Sequence, residues 1–105
     1  MKITKIKGTN IDLTPEIKLY VQEKLDMLDK YLGNLVPLNC DVEVGLQNKH
    51  HQKGDIYFAE ISIEVPGEIL RVEKTEKELY KAIDKVKDHL ARSIKKYKQK
   101  KLGIK

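Results

Sequence analysis

Eight basic side chains crowd into the stretch from Lys85 to Lys101 of this 105-residue chain: Lys85, Lys87, Arg92, Lys95, Lys96, Lys98, Lys100 and Lys101. Asp88 is the only acidic residue among them, so the stretch carries a net charge of +7. Residues 1–84 hold 12 basic and 15 acidic side chains, a net of −3, and Lys105 completes the overall +5. The chemistry open to such a cluster is neutralisation of a row of fixed negative charges. A polyanionic partner is implied, with nucleic acid ahead of an anionic membrane surface. The attraction of lysines to a helix C-terminus reaches only the final turn, so it does not explain Lys85 or Arg92.

Other side chains capable of chemistry are few. His50 and His51 are adjacent, so their rings diverge, and no further Cys or His stands at ligand spacing where structural zinc normally takes four protein ligands. Cys40 is the only cysteine; it falls in an alternating strand pattern and is expected to be a small buried side chain rather than a nucleophile. The sequence offers no nucleophile with a base, no paired carboxylates in a plausible pocket, no GxGxxG and no P-loop pattern. The expectation is a protein that is not an enzyme, with no cofactor, metal or small-molecule substrate. No apolar run approaches the ~20 residues of a membrane span and no apolar leader follows Met1, so a cytoplasmic protein without membrane association is expected.

The elements that must position the cations are legible from periodicity. Leu79, Ile83, Val86, Leu90, Ile94 and Tyr97 recur at helical spacing and form one narrow apolar stripe. Arg92, Lys95, Lys96 and Lys85 then project outwards, with Lys87 and Lys98 at the flanks and His89 on the outer side. Thr75 is read as the cap of this helix, with Glu78 completing a capping box. Upstream, Met1–Lys7 reads as a strand and Gly8–Asp12 as a turn. Thr14 and Pro15 open a helix whose apolar residues Ile17, Val21, Leu25, Leu28 and Leu32 run on to Gly33.

Cys40–Leu46 alternates as a second strand, followed by the loop Asn48–Gly54. Tyr57–Val65 alternates again, with Tyr57, Ala59, Ile61, Ile63 and Val65 on one side and Phe58, Glu60, Ser62 and Glu64 on the other. Pro66-Gly67 then turns it into a strand resuming at Ile69–Glu73. The order βαβββα predicts an α+β fold: a four-stranded sheet, its first two strands parallel and the rest an antiparallel meander, with two helices on one face. Residues 1–98 are expected to form a single domain. Gln99–Lys105 is expected to be a flexible basic tail, because Leu102 and Ile104 leave the stripe.

The combination of TPEIKLYVQEKLDMLDKY at 14–31, the Pro-Gly hairpin and LYKAIDKVKDHLARSIKKYKQK at 79–100 resembles the ribosome hibernation promoting factors, which include the ribosome-associated inhibitors. The resemblance covers essentially the whole chain. Its most specific part is Tyr80, Ala82-Ile83-Asp84, Asp88, Leu90, Arg92, Lys96, Lys98 and Lys100. It implies a domain similar to double-stranded RNA-binding domains that binds the 30S subunit and the 70S ribosome through 16S rRNA. There it would occupy the decoding region used by mRNA and tRNA and inhibit translation while ribosomes are stored under stress. Long members of the family carry a linker and a dimerising domain after the basic helix, so this chain looks like a short form or the N-terminal domain of a long one. The isolated domain is expected to be monomeric.

Under that resemblance the eight cations from Lys85 to Lys101 are the expected rRNA contacts, through phosphates and shape rather than base sequence. Lys24, which matches a family position, Lys49, His50, His51, Lys53 and His89 form a weaker set. Asp88 and Asp84 are expected to orient Arg92 and Lys87, four and three residues on. Two other functions stay open: a general double-stranded RNA-binding module, and a domain whose basic helix docks an acidic protein.

Overall fold

The structure, a computed structural model, describes residues 1–48 and 54–103. Its elements run β1 (Lys5–Thr9), α1 (Pro15–Asp26), α2 (Asp29–Leu32), β2 (Asn39–Asn48), β3 (Ile56–Val65), β4 (Glu68–Glu76) and α3 (Leu79–Leu102). The strands form one sheet in sequence order, with β1 parallel to β2 and the other pairs antiparallel. This is the expected βαβββα order, with one helix more than expected.

The extra helix arises where a single one was predicted up to Gly33. α1 begins as the sequence indicates: the Ile17 amide donates to Thr14 Oγ1 at 3.2 Å and Pro15 opens the first turn. It ends at Met27, because the Leu28 amide turns to the Leu25 carbonyl at 2.9 Å and so tightens the chain out of the α ladder. Leu28 and Leu32 remain buried all the same. The apolar spacing therefore identified core residues correctly while the backbone between them broke.

The start of α3 also differs. Thr75 lies in β4 opposite Phe58, and the helix is entered at Glu78, which has extended backbone and no side-chain cap. The capping box does not form because β3 extends to Ile56 and keeps β4 paired through Glu76. At the other end α3 continues through Gln99–Leu102 and closes on Gly103, a left-handed residue at φ 67°. β1 is displaced towards the predicted turn, since Gly8 and Thr9 pair with Val44 and Gly45.

One face of the sheet carries the core. Cys40, Val42 and Val44 of β2, Ala59, Ile61, Ile63 and Val65 of β3, and Val72 of β4 pack under Ile17, Val21 and Leu25 of α1 and Ala82, Ile83, Val86, Leu90, Ile94 and Tyr97 of α3. The opposite face bears no helix among the described residues. There the registers align Lys7, Glu43, Glu60 and Glu73 in one row across the four strands, with Lys5, Asp41, Ser62 and Arg71 in the next. Phe58, assigned by alternation to this wet side, is only 8% exposed. It stands in register between Gly45 and Thr75, and a glycine neighbour leaves room for its ring.

Gly45 has a second task. A Cβ built there would lie 2.2 Å from the Thr9 carbonyl oxygen, so β1 can approach β2 only because this side chain is absent. Gly45→Ala is expected to cost about 2–3 kcal/mol through displacement of β1 and to lower the melting temperature by roughly 10 °C. An unchanged thermal melt would mean that β1 shifts freely.

Candidate nucleic-acid interface

The rotation of α3 is fixed by its buried stripe and by a polar latch. Tyr97, at the end of the stripe, donates its hydroxyl hydrogen to the Pro66 carbonyl at 2.6 Å and ties the helix to the β3–β4 turn. With that rotation set, the eight predicted cations separate into two groups.

Three are already engaged. Lys85 is paired with Glu76 of β4 and, as its main hydrogen-bond donor, holds that carboxyl below its ordinary pKa range. Lys87 is largely covered, its side chain 17% exposed, and pairs with Asp88 at 2.7 Å. Lys98 donates to the carbonyl oxygens of Tyr31 and Leu32 at 3.1 and 3.3 Å at the end of α2, the second of which also accepts the Leu35 amide.

Arg92, Lys95, Lys96, Lys100 and Lys101 make up the other group, all exposed and without a carboxylate partner among the described residues. Lys95 lies 4.6 Å from the centroid of the Tyr31 ring, and Lys30 approaches the same ring at 5.1 Å. Lys30 and Tyr31 were not among the residues singled out from the sequence. The adjacent Lys-Tyr pair ending the first predicted helix was the available signal, because an aromatic among lysines is a common feature of RNA-binding surfaces.

The acidic residues of α3 pair differently from the expectation. Asp84 receives the Tyr20 hydroxyl at 2.6 Å and Lys24 at 3.3 Å, instead of Lys87. Asp88 takes Lys87 and leaves Arg92 free. The reason is tertiary: α1 lies beside α3, and its Tyr20 and Lys24 reach Asp84. Lys24 therefore stands next to the basic helix. Its charge is compensated, and the hydrogen bond to Asp84 raises its pKa.

His89 is part-buried at the flank of the outer face, where it lines a shallow depression with Arg92, Lys95 and Lys96. Its Nδ1 is buried without a hydrogen-bond partner among the described residues, and desolvation followed by the nearby Lys74 and Arg92 lowers its pKa. It adds no charge at neutral pH. Between β4 and α3, Glu73, Lys74, Thr75, Lys85, Asp88 and Arg92 line an open cleft of about 480 Å³. Lys74 thus joins Arg92 on this flank, a neighbour that only the β4–α3 packing reveals. Lys49, His50, His51 and Lys53 lie outside the described residues.

Elsewhere, burial pushes the Cys40 thiol up to about 11, so at neutral pH it is an inert packed thiol. Among the described residues no group of His, Cys, Asp and Glu side chains is arranged to hold a metal ion. No helix there is long and apolar enough to cross a membrane.

Known proteins share both sequence and fold with this chain. A ribosome hibernation promotion factor of Deinococcus radiodurans is 32% identical over 98 residues, which is 93% of this chain and 50% of that protein. Another, from a Picosynechococcus species, is 33% identical over 100 residues, or 95% of this chain and 51% of that protein. The chain thus spans about half the length of these curated relatives. The Thermus thermophilus Protein Y N-terminal domain superposes with a TM-score of 0.73 at 34% identity, over 92% of this chain and 99% of that one. A ribosomal subunit interface protein from Coxiella burnetii, 17% identical, shares the fold with a TM-score of 0.70 over 90% of this chain and 94% of its own. The profile of one family matches residues 4–102. With the same sheet, the same order of elements and that match, the chain belongs to the family described as Sigma 54 modulation protein / S30EA ribosomal protein.

Proposed function

We propose that this domain is a ribosome hibernation factor: it binds 16S rRNA of the small subunit through α3, blocks the decoding region against mRNA and tRNA, and holds translation off. It acts in the cytoplasm, as one copy per ribosome and without catalysis. The observation that carries the reading is the set of five exposed cations on one helix, Arg92, Lys95, Lys96, Lys100 and Lys101, which have no carboxylate partner among the described residues, in a chain whose remaining charges balance. A rigid helix presents these charges at fixed spacing, which suits a folded RNA whose phosphates are equally fixed. The name carried by its relatives, ribosome hibernation promotion factor, supports a ribosomal RNA as that partner.

Lys85 and Lys98 contribute by holding α3 against β4 and α2, Lys87 is paired within α3 itself, and the three reach rRNA only if they leave their present partners. Lys30 and Lys74 extend the charged surface on either flank.

Sedimentation of the purified protein with 30S, 50S and 70S particles at near-physiological salt tests partner and subunit together. Co-migration with 30S and 70S particles is expected. Protein left at the top of the gradient would sink the reading, and equal binding to arbitrary duplex RNA would replace it with a general double-stranded RNA-binding module.

A further inference from the structure

Near the start of α3, away from the free cations, Tyr80 keeps 41% of its surface exposed. Its ring meets that of Tyr20 on α1 edge-to-face, with centroids 4.6 Å apart and planes at 87°. Tyr20 is itself held in place: its hydroxyl donates to Asp84 at 2.6 Å, while Lys24, 3.3 Å from the same carboxylate, lies 5.1 Å from its ring centroid. Tyr20 is a fixed wall, and Tyr80 leans on it.

Neither core packing nor a polar partner accounts for Tyr80. It stands outside the buried cluster, and its hydroxyl makes no hydrogen bond among the described residues. What remains is a braced aromatic surface, open to water, on the same helix as the exposed cations. Lys95, exposed, lies fifteen residues further on, about 22 Å along the helix axis and about 60° around it, so one RNA strand running along α3 can meet both. Aromatic rings on basic surfaces take unpaired bases by stacking, which is tolerant of sequence because every base has a π face. A ring already braced loses little freedom on binding.

We propose that Tyr80, supported by Tyr20, is a stacking platform for one unpaired base of the RNA that α3 holds by its phosphates. The inference rests on the RNA-binding reading above, and adds a base contact to a surface otherwise built for charge.

The chain contains no tryptophan, so the emission of a Tyr80→Trp variant reports on position 80 alone. Its emission should be quenched by oligouridine and not by a short RNA duplex, with binding of each read separately from the anisotropy of a dye on the RNA. In sedimentation with 30S particles, Tyr80→Phe should bind as wild type, whereas Tyr80→Leu should bind roughly tenfold more weakly. Circular dichroism of each variant should match the wild type. Oligouridine bound with unchanged emission, or Tyr80→Leu binding 30S particles as tightly as wild type, would overturn the platform and leave RNA binding intact. Failure of the wild-type protein to bind either RNA or 30S particles would remove the proposed function and this inference together.

Discussion

Leu90→Ala should destabilise the domain by about 2–5 kcal/mol, whereas replacing Arg92, Lys95 and Lys96 together by alanine should leave it folded with a melting temperature close to wild type. Leu90 is fully buried between α3 and the sheet, so truncation removes contacts from every side and leaves a cavity. Ile94, equally buried, should behave in the same way. The three cations stand in water, and none has a carboxylate partner among the described residues. Their most evident local contact is that of Lys95 with the Tyr31 ring, worth about 0.5–1 kcal/mol at an exposed site. Thermal melts of the variants decide the matter. An unfolded triple variant beside an unaffected Leu90→Ala would mean that the faces of α3 have been assigned the wrong way round.

The same triple variant should lose affinity for 30S particles and, more diagnostically, lose salt sensitivity. Each cation that neutralises a phosphate displaces condensed counterions, so log affinity falls with log salt by about 0.7–0.9 per contact. Removing three contacts should flatten the line by roughly two to three units and weaken binding on the order of a hundredfold near 0.1 M salt. By the same logic Lys87→Ala should barely change the slope, because Lys87 is covered and paired with Asp88. Parallel lines with equal intercepts for wild type and triple variant would move the interface away from this face. Binding should be measured over a salt series, with circular dichroism confirming the fold of each variant.

Features set by neighbours in sequence were legible before the fold was known. The Thr14 cap with Pro15, the alternation of β2 and β3, the Pro66-Gly67 turn and the stripe from Ile83 to Tyr97 each depend on residues a few positions apart. Features that failed depend on cross-strand or cross-helix partners. Thr75 looked like a cap because nothing near it in sequence shows that β3 keeps β4 extended as far as Glu76. Asp84 was assigned to Lys87 because the local pairing is visible, whereas Tyr20 and Lys24 lie more than fifty positions away. The same limit applies to charge: the sequence counts lysines, but Glu76 on β4 and the end of α2 determine that Lys85 and Lys98 are occupied.

The bare face of the sheet gives the domain an orientation in an electric field. Glu43, Glu60 and Glu73 cross that face in one row with Lys7, behind the core. The excess of positive charge stands on the helix side, whereas this row and the next on the bare face hold four acidic against three basic side chains, so near a polyanion the domain experiences a torque. It is turned helix-first before contact, while the sheet side offers no net attraction. Such steering acts on the association rate more than on the final affinity, and salt screens it. The glutamate row thereby helps to govern how often an encounter begins with the correct side.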